Sequence, residues 1–151
     1  ATKLPQEIFA HVDYLTPNES ELRILMGLAP DDPSSTRDLA LALRERGVGT
    51  VVVTLGGKGA LILSKDHDMV VPTRRVDVVD TTGAGDAFNA GFAVALGEGR
   101  AVEDAVAYGA ACGAHACTRL GVIPSLATRA ELEAAWTDVN MKSAKHKKGT
   151  R

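Results

Sequence analysis

Aromatic side chains are scarce, 4% of the 151 residues, so the interior cannot rest on large rings and has to be filled by Leu, Val and Ala. Cysteine is almost absent. The two present, Cys112 and Cys117, stand five apart in an Ala/Gly run, on different faces of a helix, which argues against a bridge between them. No Cys or His cluster has zinc spacing, so His115 is expected as a packed or surface histidine rather than a ligand. No apolar run approaches the roughly 18 residues needed to span a bilayer, and the first residues lack the regions of a secretory signal. An excess of one charge is also missing. Seventeen basic against nineteen acidic residues give a net charge of −2, which leaves no field to hold nucleic acid or an anionic membrane. Together these absences lead us to expect a reduced, cytoplasmic protein with small-molecule ligands. The basic run at Lys142, Lys145, Lys147, Lys148 and Arg151 reads as a disordered tail over residues 139–151, leaving 1–138 as one domain.

What is present is ordinary globular composition, 45% hydrophobic and 24% charged, enough for one aliphatic core. Residues 1–10 lead through Pro5 into a short helical stretch at Ile8 and Phe9, without a starting methionine, and read as a cut end. Val12–Leu15 reads as a strand. Thr16 as cap, Pro17 in the first turn and Glu19 completing a capping box predict a helix carrying Leu22, Leu25 and Met26 inward, ended by Gly27. A second helix is predicted from Ser34 or Ser35 to Arg46, with Leu39 and Leu43 inward and Gly47 as its stop.

Thr50–Leu55 is a continuous β-branched run without alternation, the pattern of a strand buried on both faces of a parallel sheet. A glycine turn, Ala60–Leu63, a polar turn and Met69–Val71 predict a hairpin, and Arg75–Val79 a further short strand. Helices are then predicted over Gly85–Leu96 and Ala101–Cys117, the second with Gly109 and Gly113 placed to let a neighbour press close. Thr118–Ser125 reads as a loop, and Thr128 with Glu131 as the cap of a last helix through Trp136. The fold class expected is α/β, an open and mostly parallel sheet with helices on both faces.

The chemistry concentrates in Gly83-Ala84-Gly85-Asp86. Small residues at a helix start leave backbone N–H groups unpaired at the positive end of the dipole, an arrangement that holds anions. Asp86 in the first turn sits beside that point, where a carboxylate can accept a proton from an attacking hydroxyl and orient it in line with a phosphoryl group. The same residues also suit a sharp turn with a capping aspartate, and GxGD alone does not decide between the two.

The longer string Asp80-Thr-Thr-Gly-Ala-Gly-Asp-Ala-Phe-Asn-Ala-Gly-Phe92 resembles the C-terminal signature of the ribokinase-like carbohydrate kinases, also called the PfkB family, nearly residue for residue. Thr16-Pro-Asn-Glu-Ser-Glu21 is similar to the family's nucleotide-side Asn and Glu motif, and Thr54-Leu-Gly-Gly-Lys-Gly59 to its ATP loop. Thr118-Arg-Leu-Gly121 followed by Pro124-Ser125 resembles the loop with which ribokinase-type members hold a monovalent cation.

The resemblance implies roles at matched positions. Asp86 is the base, and Gly83, Ala84 and Gly85 supply the anion hole. Asn18, Thr54, Leu55, Gly56, Gly57, Lys58, Gly59 and Ala110 join Gly85 and Asp86 around ATP, and Glu21 with Asn18 organises phosphates and a hydrated Mg2+. The side chains of Asp80 and Ser125 and the carbonyls of Thr82, Ala116, Arg119 and Gly121 hold K+. The implied reaction is ATP-dependent phosphorylation of a sugar's primary hydroxyl, with ribose as the first expectation and fructose or adenosine as alternatives. Family members carry their sugar-binding residues and lid in a first half that this sequence does not contain. A missing N-terminal half or a homo-oligomeric partner is therefore expected to complete the site.

Two readings of other classes are weaker or stay open. A nucleotide-binding module without catalysis fits the same motifs. A dinucleotide-binding dehydrogenase does not, because Phe88 stands where the third glycine of GxGxxG belongs, and a P-loop is excluded by the residues around Lys58.

Overall fold

The computed structural model describes residues 4–134, so Trp136 and the basic tail lie outside the described residues. Four strands form one sheet in the order β1 (Tyr14–Leu15), β2 (Thr50–Thr54), β3 (Ala60–Leu63), β4 (Asp68–Val71). β1 pairs parallel with β2, and the β2–β3–β4 meander is antiparallel. The helices are α1 (Gln6–Phe9), α2 (Glu19–Leu25), α3 (Thr36–Glu45), α4 (Ala84–Gly97), α5 (Val102–Ala116) and α6 (Val122–Ser125), and residues 129–134 are also helical.

Alternation along the strands sends side chains to two cores. Val51, Val53 and Leu61 face Phe9, Leu22, Ala40 and Leu43 of α1–α3. Val52, Ala60, Ile62 and Val71 face Phe88, Phe92, Val106 and their neighbours on α4 and α5. Helices thus cover both faces of an α/β sheet, as the unalternating Thr50–Leu55 run requires. Burying a Val, Leu or Phe is worth about 1.5–3 kcal/mol. An exposed ion pair such as Arg37–Asp68, which ties α3 to β4, contributes about 0–1 kcal/mol, so the two cores carry the stability.

Three local readings differ from the sequence expectation. The N-cap of α2 is Asn18, not Thr16: Asn18 Oδ1 accepts from Glu21 N at 2.8 Å and Glu21 Oε2 accepts from Asn18 N at 2.9 Å. Pro17 stays before the cap because its carbonyl accepts from Thr54 N at 3.0 Å, extending the parallel ladder past β1. Residues 75–79 form no strand, since they have no ladder partner among the described residues; Val78 and Val79 are exposed. Within the stretch read as a loop, Val122–Ser125 makes one helical turn. The final helix begins as expected, with Thr128 N and Oγ1 each donating to Glu131 Oε2 at 2.8 Å; these bonds and Arg119 hold the Glu131 carboxyl down to about 2.

α4 and α5 pack backbone against backbone. A Cβ on Gly109 would stand 2.8 Å from Phe88 O, one on Gly113 3.0 Å from Ala84 O, and one on Gly91 2.4 Å from Cys112 Sγ. Cys112 is buried there, which pushes its thiol up to about 11, and both cysteines are free. No described helix is long and apolar enough to cross a membrane. Gly109→Ala is expected to destabilise the protein by roughly 1–3 kcal/mol through overpacking. Gly97→Ala, where a Cβ meets nothing within 4 Å, is expected to leave stability unchanged or raise it. Urea unfolding midpoints of the two variants check the contrast.

Candidate active site

Gly83 begins α4 in the left-handed region, at φ 78°, and a Cβ there would come 2.8 Å from Val122 Cγ1. Both conditions admit only glycine. No side chain caps this helix end. The Ala84 amide donates to Thr81 O at 3.2 Å and the Ala87 amide to Gly83 O at 2.9 Å, but the amides of Gly83, Gly85 and Asp86 find no acceptor among the described residues. The open donors are therefore shifted slightly from the expected Gly83–Gly85 set, toward Gly85 and Asp86. The Asp86 carboxylate is exposed and takes no hydrogen bond among the described residues.

A cleft of about 510 Å³ runs from this point across the C-terminal end of β2. It is lined by Thr54, Gly56, Gly57 and Gly59, by Thr73–Val76 and Val78, by Phe88, Ala110, Gly113, Ala114 and Cys117, and by Thr81, Ala84 and Gly85. Of the expected nucleotide set, Thr54, Gly56, Gly57, Gly59, Gly85 and Ala110 thus meet in one cavity. Leu55 turns the other way, into the α1–α3 core, and Lys58 is exposed outside the lining. Asp86 stands next to Gly85 at the rim. Arg74 and Arg75, which the sequence reading did not single out, line the cleft; their only signal was position, directly after the hairpin.

Asn18 is exposed beside Thr54 at the mouth, with Glu21 one helical turn on. Their mutual hydrogen bonds establish the capping role and leave the remaining carboxylate and amide atoms outward. Among the described residues no group of three His, Cys, Asp or Glu side chains could hold a metal ion, so any cation here relies on carbonyls and single carboxylates.

Of the residues expected to hold a monovalent cation, Asp80, Thr82 and Gly121 are joined by hydrogen bonds beside the start of α4. Asp80 Oδ1 accepts from Thr82 N at 2.9 Å and Thr82 Oγ1 at 2.7 Å, and its Oδ2 accepts from Gly121 N at 3.1 Å. Led by the Thr82 hydroxyl, these donors hold the Asp80 carboxyl below its ordinary value. Val79 N and Asp80 N both donate to Cys117 O at the end of α5, at 2.8 and 3.3 Å. Ser125 is buried and donates to Val122 O at 2.7 Å. The carbonyls of Thr82, Ala116, Arg119 and Gly121 accept no hydrogen bond among the described residues.

The helix opened by glycine stands beside a cleft whose described lining carries no acidic side chain, an arrangement of the kind that suits anionic ligands. The family model described as pfkB family carbohydrate kinase matches residues 1–129. Ribokinase from Haemophilus influenzae is 37% identical over 128 residues, covering 85% of this chain and 42% of that protein. The structure of ribokinase from Thermotoga maritima is 43% identical with a TM-score of 0.83, over 89% of this chain and 45% of that one. Arabidopsis thaliana ribokinase complexed with ribose and ATP is 33% identical with a TM-score of 0.79, over 88% and 43%. The chain belongs to the pfkB family of carbohydrate kinases. It spans less than half the length of these relatives.

Asp80 is ionised at neutral pH with a lowered folded value, so its contribution is complete above the ordinary aspartate value of 3.8 and disappears as pH falls through the folded one. The urea midpoint of the wild type is expected to exceed that of Asp80→Asn near neutral pH, and the gap to close on acidification. A gap independent of pH would separate Asp80 from the turn it clips.

Proposed function

We propose that the chain is the nucleotide-binding, catalytic portion of a kinase that transfers the γ-phosphoryl group of ATP to a sugar's primary hydroxyl. The observation that carries this reading is the pair of unpartnered amides at Gly85 and Asp86, set at the cleft beside an exposed carboxylate. Charge developing on a transferring phosphoryl group is stabilised there by fixed N–H donors and the helix dipole, at no cost of reorganisation. Asp86 accepts the hydroxyl proton and aims the oxygen at phosphorus. The Gly56–Gly59 turn lets backbone approach the nucleotide, with Gly56 (φ 56°) and Gly59 (φ 101°) in conformations that side chains disfavour.

Asn18 and Glu21 hold a hydrated Mg2+ at the mouth, where the ion would neutralise phosphate charge. K+ is held by Asp80 and Ser125 with the carbonyls of Thr82, Ala116, Arg119 and Gly121. Support for that set comes from the four carbonyls that accept nothing, beside a carboxylate already anchored on both oxygens. Ribose is the favoured acceptor on the strength of the ribokinase relatives. The sugar site is completed by a partner segment or chain, of the kind that makes up the rest of the relatives' length. A reduced, cytoplasmic setting suits such an enzyme.

Assaying the chain with ATP, alone and mixed with a complementary first half, against ribose, fructose and adenosine tests the reading directly. In the assembled enzyme Asp86→Ala is expected to lower kcat by about 10²–10⁴-fold. Nucleotide affinity should change little, as for a group that acts in the transition state. Retained turnover would remove Asp86 from its role. Potassium is expected to activate; equal rates with and without it in sodium-free buffer would count against the Asp80–Ser125 site.

A further inference from the structure

Among the described residues, Arg74 and Arg75 are the only charged side chains that line the cleft. Both are exposed, and neither guanidinium has a carboxylate or carbonyl partner among the described residues. Arg23, Arg37, Arg100, Arg119 and Arg129 all donate to acceptors within the chain, while Arg44 and Arg46 at the end of α3 share with Arg74 and Arg75 the lack of a partner among the described residues but do not line the cleft. Two planar forks of N–H donors on the lining of the cleft are thus left without an internal acceptor among the described residues.

Their place is fixed from two sides. Thr73 Oγ1 donates to Ala110 O on α5 at 3.2 Å. Gly59 packs so tightly on the exit of β4 that a Cβ would stand 2.0 Å from Val71 O and 2.8 Å from Thr73 N. The chain leaves this double pin at Thr73, and the next two residues are the arginines. Thr81, Ala84 and Gly85 line the same cleft, beside the open amides. With the terminal phosphate of a nucleoside triphosphate at those amides, its nucleoside end would extend into a cleft that Thr73–Arg75 also line.

Among the described residues, the side chains lining the cleft include hydroxyls and guanidiniums but no carboxylate and no carboxamide. That chemistry is selective. A purine presents N7 as an acceptor, and at position 6 either a carbonyl that accepts or an amino group that donates. Guanidinium only donates, so it pairs with N7 and O6 together in a 6-oxopurine, while adenine offers it N7 and the ring face alone.

We propose that Arg74 and Arg75 hold the nucleobase of the phosphoryl donor, so that the site takes a 6-oxopurine triphosphate, GTP or ITP, at least as readily as ATP. The inference rests on the phosphotransferase reading and deepens it. Calorimetric titration of the full chain with the magnesium complexes of ATP, GTP, ITP and CTP, and with tripolyphosphate, tests it in the wild type, R74A/R75A and R74K/R75K. GTP and ITP are expected to bind as tightly as ATP or more so, and CTP more weakly. The double alanine variant is expected to weaken GTP and ITP about tenfold, ATP less, and tripolyphosphate hardly at all, and lysine, which lacks the fork, not to restore them. Wild-type GTP binding about tenfold weaker than ATP would overturn the inference, as would an equal loss for tripolyphosphate, which assigns the arginines to phosphate. ATP binding unchanged in both variants, with GTP unchanged too, also overturns it. Failure of every triphosphate and of tripolyphosphate to bind the wild type instead strikes the phosphotransferase reading itself.

Discussion

The contact between α4 and α5 is the constraint on which the rest of the site depends. Two helices approach this closely only where glycine faces backbone, as Gly109 does Phe88 O and Gly113 does Ala84 O. That approach fixes the first turn of α4 against the C-terminal half of α5. The open amides of Gly85 and Asp86 consequently occupy a set point relative to Ala110, Gly113 and Cys117 on the cleft lining. Preorganised donors stabilise charge in proportion to how little they must move. Rigidity in an apolar helix pair thus becomes electrostatic capacity at its end.

Asp80 extends the same frame to the following loop. One carboxylate reaches Thr82 just before α4 and Gly121 beyond α5, and Cys117 O receives the amides of Val79 and Asp80 from the opposite direction. Gly83 completes the arrangement by leaving room for Val122. Three segments remote in sequence therefore converge behind the anion hole through polar backbone bonds, with few side chains involved.

Much of this was legible in the sequence because it depends on local chemistry. The unalternating Thr50–Leu55 run gave a strand buried on both faces, Gly27 and Gly47 gave helix ends at positive φ, and Thr128 with Glu131 gave a capping box. The glycines at 109 and 113 announced a close helix contact. Where the outcome depended on partners far along the chain, local reading fell short. Thr16 is as good a cap as Asn18 in isolation; the ladder bond from Thr54 to Pro17 moves the helix start onward. Arg75–Val79 has the β-branched character of a strand but meets no edge to pair with. Leu55 and Lys58 belong to the glycine loop in sequence yet turn away from the cleft, since only the backbone of that loop faces it. Arg74 and Arg75 carry no motif at all. Their place on the cleft emerges only once the hairpin and the Thr73–Ala110 bond to α5 position that segment.

The sheet also divides the interior. Val51 and Val53 belong to one apolar cluster and Val52 to the other, so neighbouring residues of a single strand answer to different helices. Effects of distant, unshared substitutions add nearly independently. Repacking Leu22 against Leu43 on the α1–α3 side therefore leaves the geometry around Phe88 as it was. The two layers can diverge at separate rates, with the α4–α5 layer held to its glycines while the opposite one drifts among aliphatics of matching volume.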